Sequence, residues 1–208
     1  MKRWIGLLSV LLACVLICMG CGSEKVNVKG TFVPLDSEAD PNSEYFEGGT
    51  YTNEYFGWLV NLPKDTWRIT NPKSLEHLEH VALNAYSLMG VLHIQIFNTE
   101  ESSVFLEKTA IEFAEEHIRK TYEALIEKAY AQYVDEYYEI ELELLNEKGV
   151  AVAMNTEILA DGVRNGVFAY LPLMKDKYMV GISVQIDGAT SADDVQKFLN
   201  DMFAALPE

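Results

Sequence analysis

The sequence predicts an α+β fold in which an antiparallel β-sheet is sandwiched by helices in an αβα arrangement. Two-residue alternation of apolar and polar side chains recurs after about residue 49, which is typical of strands with one buried face. One long segment, about residues 103–134, has the helical period instead. The strands after it are separated by short turns, which join antiparallel neighbours. With 208 residues, the chain is long enough for one domain with a sizeable core.

The first 20 residues have the pattern of a secretory signal peptide. Lys2 and Arg3 precede an apolar run from Trp4 to Met19, and polar residues begin directly after Cys21. The apolar run is shorter than the roughly 20 residues that a membrane-spanning helix needs. We therefore expect residues 1–20 to be removed during export.

The cysteine at this junction resembles the lipobox of bacterial lipoproteins, in which a cysteine after a small residue is diacylated and becomes the N-terminus. Gly20 fits that pattern, whereas Cys18 stands where the motif usually has leucine. Cys14 ends a second candidate motif, but cleavage there would leave an apolar stretch on the mature chain. An ordinary signal peptide is the alternative. The resemblance implies lipidation at Cys21 and anchorage on the extracytoplasmic face of the cell membrane.

The three cysteines, Cys14, Cys18 and Cys21, all lie at or before the predicted cleavage point. The exported domain would then have no free thiol. This excludes a disulfide framework, a cysteine nucleophile, a zinc–thiolate site and an iron–sulfur cluster. No other cofactor is indicated by the sequence.

The chain is strongly acidic, with a formal net charge of −16. Removal of the signal makes the mature chain more negative still, because the signal carries Lys2 and Arg3 but no acid. Nucleic acid is excluded as a partner, since its recognition needs a basic surface. Anionic headgroups would repel the domain, so the membrane is expected as a partner only through the lipid anchor.

Residues 21–48 are predicted to form the lipidated N-terminus and a flexible tether, because Gly, Ser, Pro and acidic residues dominate them. Short strand-like runs at Val26–Val28 and Thr31–Val33 interrupt this composition. The globular domain is predicted over residues 49–208. A fragment that begins at Gly49 is therefore expected to be a soluble monomer.

The domain is predicted to open with a hairpin over Tyr51–Pro63, turning at Asn53-Glu54, and to continue with a strand at Trp67–Thr70. Ser74 is predicted to begin a helical turn. A strand over Leu88–Phe97 follows, with His93 on its polar side.

The second half is predicted to begin with the long helix, about residues 103–134, followed by a strict alternation at Tyr138–Leu144. Three more strands are predicted over Val150–Leu159, Val163–Leu173 and Tyr178–Ile186. A capping-box pattern at Ser191 predicts a closing helix whose apolar stripe runs to Leu206.

The pattern of the first hairpin, followed by a helix, a meander and a closing helix, resembles the PsbP-like family. The residues that carry the resemblance are Tyr51-x-Asn53-x-x-Phe56-Gly57-Trp58-x-Val60-x-Leu62-Pro63-x-x-x-Trp67. The resemblance covers about residues 49–206 and implies an αβα sandwich. Its motif concerns packing, so it implies no chemistry and no site residue.

The sequence contains little evidence of a local catalytic or metal-binding motif. His77 and His80 lie one helical turn apart among glutamates and are weak candidates for a metal site, because no third ligand accompanies them. His93 and His117 are expected to be surface or hydrogen-bonded histidines. Ser183 lacks the second glycine of a nucleophile elbow.

Two features suit binding better than catalysis. Glu139, Glu141 and Glu143 share one face of a strand, which is either solvated or able to meet Ca²⁺ or a basic partner. Tyrosines gather after the long helix, where they either bind a glycan or protein or close the core; the candidates are Tyr130, Tyr133 and Tyr137.

Two functions remain open on the sequence. The first is a monomeric, non-catalytic binding or accessory protein whose partner is another envelope protein or polymer. The second is an envelope enzyme whose carboxylates are distant in sequence and act, for example, on a glycan.

Overall fold

The computed structural model describes residues 27–76, 78, 80–101, 108–127, 131–133, 137–158 and 164–207. The predicted signal peptide and Cys21 lie outside them. In chain order the elements are β1 (Thr31–Pro34), β2 (Tyr45–Glu47), β3 (Gly49–Asn53), β4 (Trp58–Leu62), β5 (Trp67–Thr70), α1 (Pro72–Leu75), β6 (Val81–Ser87), β7 (Gly90–Asn98), α2 (Ala110–Glu127), β8 (Ala131–Tyr133), β9 (Tyr138–Leu144), β10 (Glu147–Ile158), β11 (Arg164–Lys175), β12 (Tyr178–Asp187), α3 (Ala192–Met202) and β13 (Phe203–Ala205).

The strands form two antiparallel sheets. The small sheet has the order β1-β3-β4-β13, and the large sheet has the order β2-β5-β6-β7-β12-β11-β10-β8 with β9 also paired to β10. The sequence predicted one antiparallel sheet with helices; the antiparallel pairing and the presence of a few helices are confirmed, whereas the described strands form two sheets. The meander β9 to β12 has the predicted order, because its strands are joined by short turns.

The large sheet has an apolar core on each face. Along β12, Val180 and Ile182 belong to the core shared with the small sheet and α3, whereas Met179 belongs to the core beneath α2. Successive strand residues point to opposite faces, so the side chains that pack with α3 and those that pack with α2 alternate along β12. This arrangement decides which side chains of the long strands α2 covers.

The long helix is shorter than predicted. It runs from Ala110 to Glu127, and residues 131–133 near the predicted end form strand β8 instead. Residues 103–107, 128–130 and 134 of the predicted helix lie outside the described residues. A capping box sets its start: Glu112 N–H donates to Thr109 Oγ1 at 3.2 Å, and Thr109 N–H donates to Glu112 Oε2 at 2.7 Å. The capping box at Ser191 of α3 was predicted and is present, with Asp194 as its second member.

The closing helix ends earlier than predicted. Phe203 leaves the helical conformation and begins β13, which pairs with β4. Its ring centroid lies 5.3 Å from that of Trp58, so the strand buries the residue that helical spacing had assigned to the stripe of α3.

Two local predictions also need correction near the middle of the chain. The strand predicted from Leu88 begins at Gly90, because Leu88 lies in the turn between β6 and β7 and is 84% exposed. Strand β6 was not predicted. Helix α1 begins after Asn71, whose side chain accepts a hydrogen bond from Lys73 N–H, and not at Ser74.

Two strands lie within the segment that was predicted to be a flexible tether, and one of them, β1, includes the strand-like run at Thr31–Val33. β1 pairs with β3, and β2 pairs with β5. The reason is apolar packing: the rings of Phe32 and Phe46 stack with centroids 5.8 Å apart, and Phe46 is buried. Tyr51 Oη also donates to Lys29 O at 2.7 Å. From residue 31 onward the segment is therefore part of the fold.

Candidate functional site

Strand β9 carries a row of exposed carboxylates. Ile140, Leu142 and Leu144 are buried, and the residues between them and before them are exposed; these are Glu139, Glu141 and Glu143. We call these three residues the acidic row. Carboxylates two residues apart on one strand are separated by about 7 Å along the strand.

The acidic row points to the same face of the large sheet as α2. Glu139 is paired with Val152, which belongs to the core beneath α2, and Glu143 is paired with Lys148. An open cavity of about 420 Å³ adjoins the row, lined by Glu141, Leu142, Glu143, Lys148, Gly149, Val150 and Gln196. Two carboxylates against one ammonium group favour a positively charged occupant.

One end of β9 is closed by a side chain from α3. Gln196 Oε1 accepts a hydrogen bond from Glu143 N–H at 2.7 Å, and Gln196 Nε2 donates to Glu143 O at 2.6 Å. The amide group thus occupies the place of a neighbouring strand. The Glu143 side chain stays exposed while its main chain is hydrogen bonded.

The tyrosine candidates are only partly described. Tyr130 lies outside the described residues, and Tyr133 is described only through its backbone, which pairs with Thr156. Tyr137 is half-buried and packs against the core beneath α2. Tyr137 therefore helps to close the core. The neighbouring Tyr138 donates a hydrogen bond from its Oη to Asn155 Oδ1 at 3.0 Å.

Of the two weak candidates for a metal site, His77 lies outside the described residues. His80 is exposed, and its ring stacks on Phe97 with centroids 4.6 Å apart. In the ranges that the structure describes, no three His, Cys, Asp or Glu side chains cluster closely enough to hold a metal ion.

His93 was expected to be a surface or hydrogen-bonded histidine, and the structure places it at a largely buried position. It lies on the face of β7 that looks toward α2, and burial, followed by the neighbouring His117, lowers its pKa to about 4. Burial also lowers the pKa of His117, whose ring centroid lies 4.7 Å from that of Tyr170. The sequence showed His93 on the polar side of a strand but not that a helix covers part of that side.

Several carboxylates have lowered pKa values. Hydrogen bonds from Lys108 and Lys120 lower the pKa of Glu116 to about 2. Backbone and side-chain hydrogen bonds lower the pKa of Glu112 and of Asp194, the two helix-capping acids. A carboxyl group that acts as a general acid near neutral pH requires a raised pKa. These three carboxylates therefore serve ion pairing and helix capping.

A larger open groove lies beside the opposite end of the large sheet. It has a volume of about 780 Å³ and is lined by Glu47, Lys64, Asp65, Thr66, Trp67, Arg68, Tyr86, Ser87, Leu88 and Met89. Its acidic and basic side chains balance, so charge does not single out one kind of occupant there.

Within the described part of the chain, no helix combines the length and the apolar character that crossing a bilayer would require.

No protein-family model and no curated protein sequence matches this chain. Several solved structures are similar to it, and two of them are described here. The solution structure of the cyanobacterial PsbP protein CyanoP from Synechocystis sp. PCC 6803 is 13% identical, with a TM-score of 0.42, over 84% of this chain and 100% of that one. A crystal structure from Bacteroides thetaiotaomicron VPI-5482 is 13% identical, with a TM-score of 0.36, over 78% of this chain and half of that one.

Proposed function

We propose that this chain is a membrane-anchored, extracytoplasmic lipoprotein of the cell envelope that binds a positively charged partner without catalysis. The observation that carries the binding role is the exposed acidic row beside an open cavity at the edge of the large sheet. The partner is a cationic segment of another envelope protein or a cationic polymer.

The geometry of the acidic row suits an extended partner. Its carboxylates point the same way at a spacing of about 7 Å, which is also the spacing of alternate side chains on an extended peptide. Glu143 is held in register because Gln196 fixes its main chain. The net negative charge of the chain would speed the approach of a cation.

The anchor and the fold family are proposals that rest on sequence motifs. We propose that Cys21 is lipidated, on the strength of Gly20 and the apolar run before it. We also propose membership of the PsbP-like family with its αβα sandwich, on the hairpin pattern from Tyr51 to Trp67.

The binding role is tested with oligolysine as a defined cationic probe and the full-length protein in detergent. Glu139→Gln/Glu141→Gln/Glu143→Gln should weaken binding about tenfold, at roughly 0.5 kcal/mol for each exposed pair. The control Glu54→Gln/Asp65→Asn/Glu76→Gln makes the same change of charge at exposed positions elsewhere. Equal weakening by both variants would show that net charge alone attracts the probe.

The anchor is tested by metabolic labelling with a radioactive fatty acid. Cys21→Ser should abolish the label and release or misprocess the protein, whereas Cys14→Ser and Cys18→Ser should keep both label and membrane attachment. Normal labelling of Cys21→Ser would refute the anchor while leaving the binding role untouched.

A further inference from the structure

A second polar patch lies on the large sheet beside α2, separate from the acidic row. Three of its side-chain atoms are buried and have no hydrogen-bond partner among the described residues: Gln95 Oε1, Tyr170 Oη and Ser183 Oγ. Tyr170 is fully buried and Ser183 is 4% exposed. Buried polar atoms of this kind normally have partners, because leaving one unpaired destabilises the fold.

Strand register brings the three groups together. Ser183 pairs with Tyr170 on β11, and Gly181, two residues earlier on the same strand, pairs with Gln95 on β7. The phenol of Tyr170 extends over Gly181, since a Cβ at that glycine would lie 1.7 Å from Tyr170 Oη. The phenol therefore reaches across β12 toward the strand that carries Gln95.

The chemistry of the patch limits what can occupy it. Gln95 Oε1 only accepts hydrogen bonds, whereas the hydroxyls of Tyr170 and Ser183 both donate and accept. An O–H group can both donate and accept hydrogen bonds, so it can pair with these three polar groups. An ion is disfavoured, because a buried charge needs a counter-charge. His93, the register partner of Ser183, supplies none near neutral pH, since burial lowers its pKa to about 4.

We propose that this patch binds an uncharged, hydroxyl-bearing molecule whose O–H group joins Gln95, Tyr170 and Ser183. Water and a small polyol share this chemistry, and the occupant is held between β7, β12 and the flank of α2. The site does not depend on the acidic row or on a cationic partner.

The first test is thermal unfolding of the full-length protein in detergent. Tyr170→Phe and Ser183→Ala each remove one partner of the occupant, so both should lower Tm by a few degrees. If the patch is empty, Tyr170→Phe should instead raise Tm, because it deletes an unpaired buried hydroxyl that destabilises the fold. Tyr178→Phe, on a half-buried tyrosine outside the patch, is the matched control and should leave Tm unchanged.

The second test is a crystal structure of the protein before and after soaking in ethylene glycol. We expect density within hydrogen-bond distance of Tyr170 Oη and Ser183 Oγ. Water that persists after soaking identifies water as the occupant, and its replacement by glycol identifies a polyol site. A raised or unchanged Tm for Tyr170→Phe, or a patch without density in both crystals, overturns the proposal.

Discussion

The side chain of Gln196 on α3 makes hydrogen bonds in both directions with the main chain of Glu143 on β9. A neighbouring strand would offer the same donor and acceptor. The exposed edge of a sheet tends to pair with other chains, and covering its backbone groups prevents this. Gln196 thus closes the edge at the acidic row while leaving the Glu143 carboxylate free to meet a partner.

Replacing this glutamine should loosen the edge. Gln196→Ala removes both hydrogen bonds to Glu143 and should lower the free energy of unfolding by about 1–2 kcal/mol. Amide hydrogen exchange should accelerate at Glu143. The control Lys197→Ala changes the next, exposed residue of the same helix and should do neither. Unchanged exchange at Glu143 in Gln196→Ala would mean that the glutamine does not protect the edge.

Truncation at Gly49 should destabilise the domain, whereas the sequence predicted that this fragment is a soluble monomer. A fragment that starts at Gly49 loses β1 and β2, and with them the Phe32–Phe46 stack and the Lys29 carbonyl that accepts from Tyr51. We expect it to be less stable by at least about 3 kcal/mol than a fragment that starts at residue 27. Urea unfolding of the two fragments measures the difference. Equal urea midpoints and slopes for the two fragments would instead support the predicted domain that begins at residue 49.

Stability should fall in mild acid because of His93. Its pKa is about 4 in the folded protein and about 6.5 when unfolded, so the unfolded chain binds more protons between these values. The contribution is fully present above about pH 6.5 and is lost as the pH falls toward 4, to a total of about 3 kcal/mol.

Urea unfolding at several pH values measures this loss. His93→Gln cannot titrate and should flatten much of the dependence between pH 6.5 and 4, leaving the contribution of His117, whose pKa is also lowered by burial. An unchanged pH profile in His93→Gln would contradict the assignment.

Local pattern predicted the strands well where one face is buried. Tyr138–Leu144 has the predicted bounds, and β10, β11 and β12 differ from prediction by a few residues at their ends. Strand β6 was missed because its alternation is weak. Helix α3 was predicted too long, since Phe203 fits a helical stripe and a strand equally well, and only pairing with β4 decides between them.

The candidate sites also divide into features that local sequence pattern predicts and features that depend on tertiary packing. The exposure of the acidic row follows from alternation alone, because none of the helices in the described residues covers that face of β9. The surroundings of His93, Gln95 and Ser183 depend on which strands α2 covers, and sequence spacing does not contain that information. Gln196 and Glu143 are 53 residues apart, so their pairing was equally out of reach.

The central claim is that the acidic row is the contact surface for a cationic partner. Hydrogen exchange of the full-length protein in detergent, with and without oligolysine, tests it most directly. We predict added protection confined to residues 138–144 and 147–150, and its disappearance in Glu139→Gln/Glu141→Gln/Glu143→Gln or on addition of salt. Protection spread evenly over the acidic surface, or centred on another element, would contradict the claim.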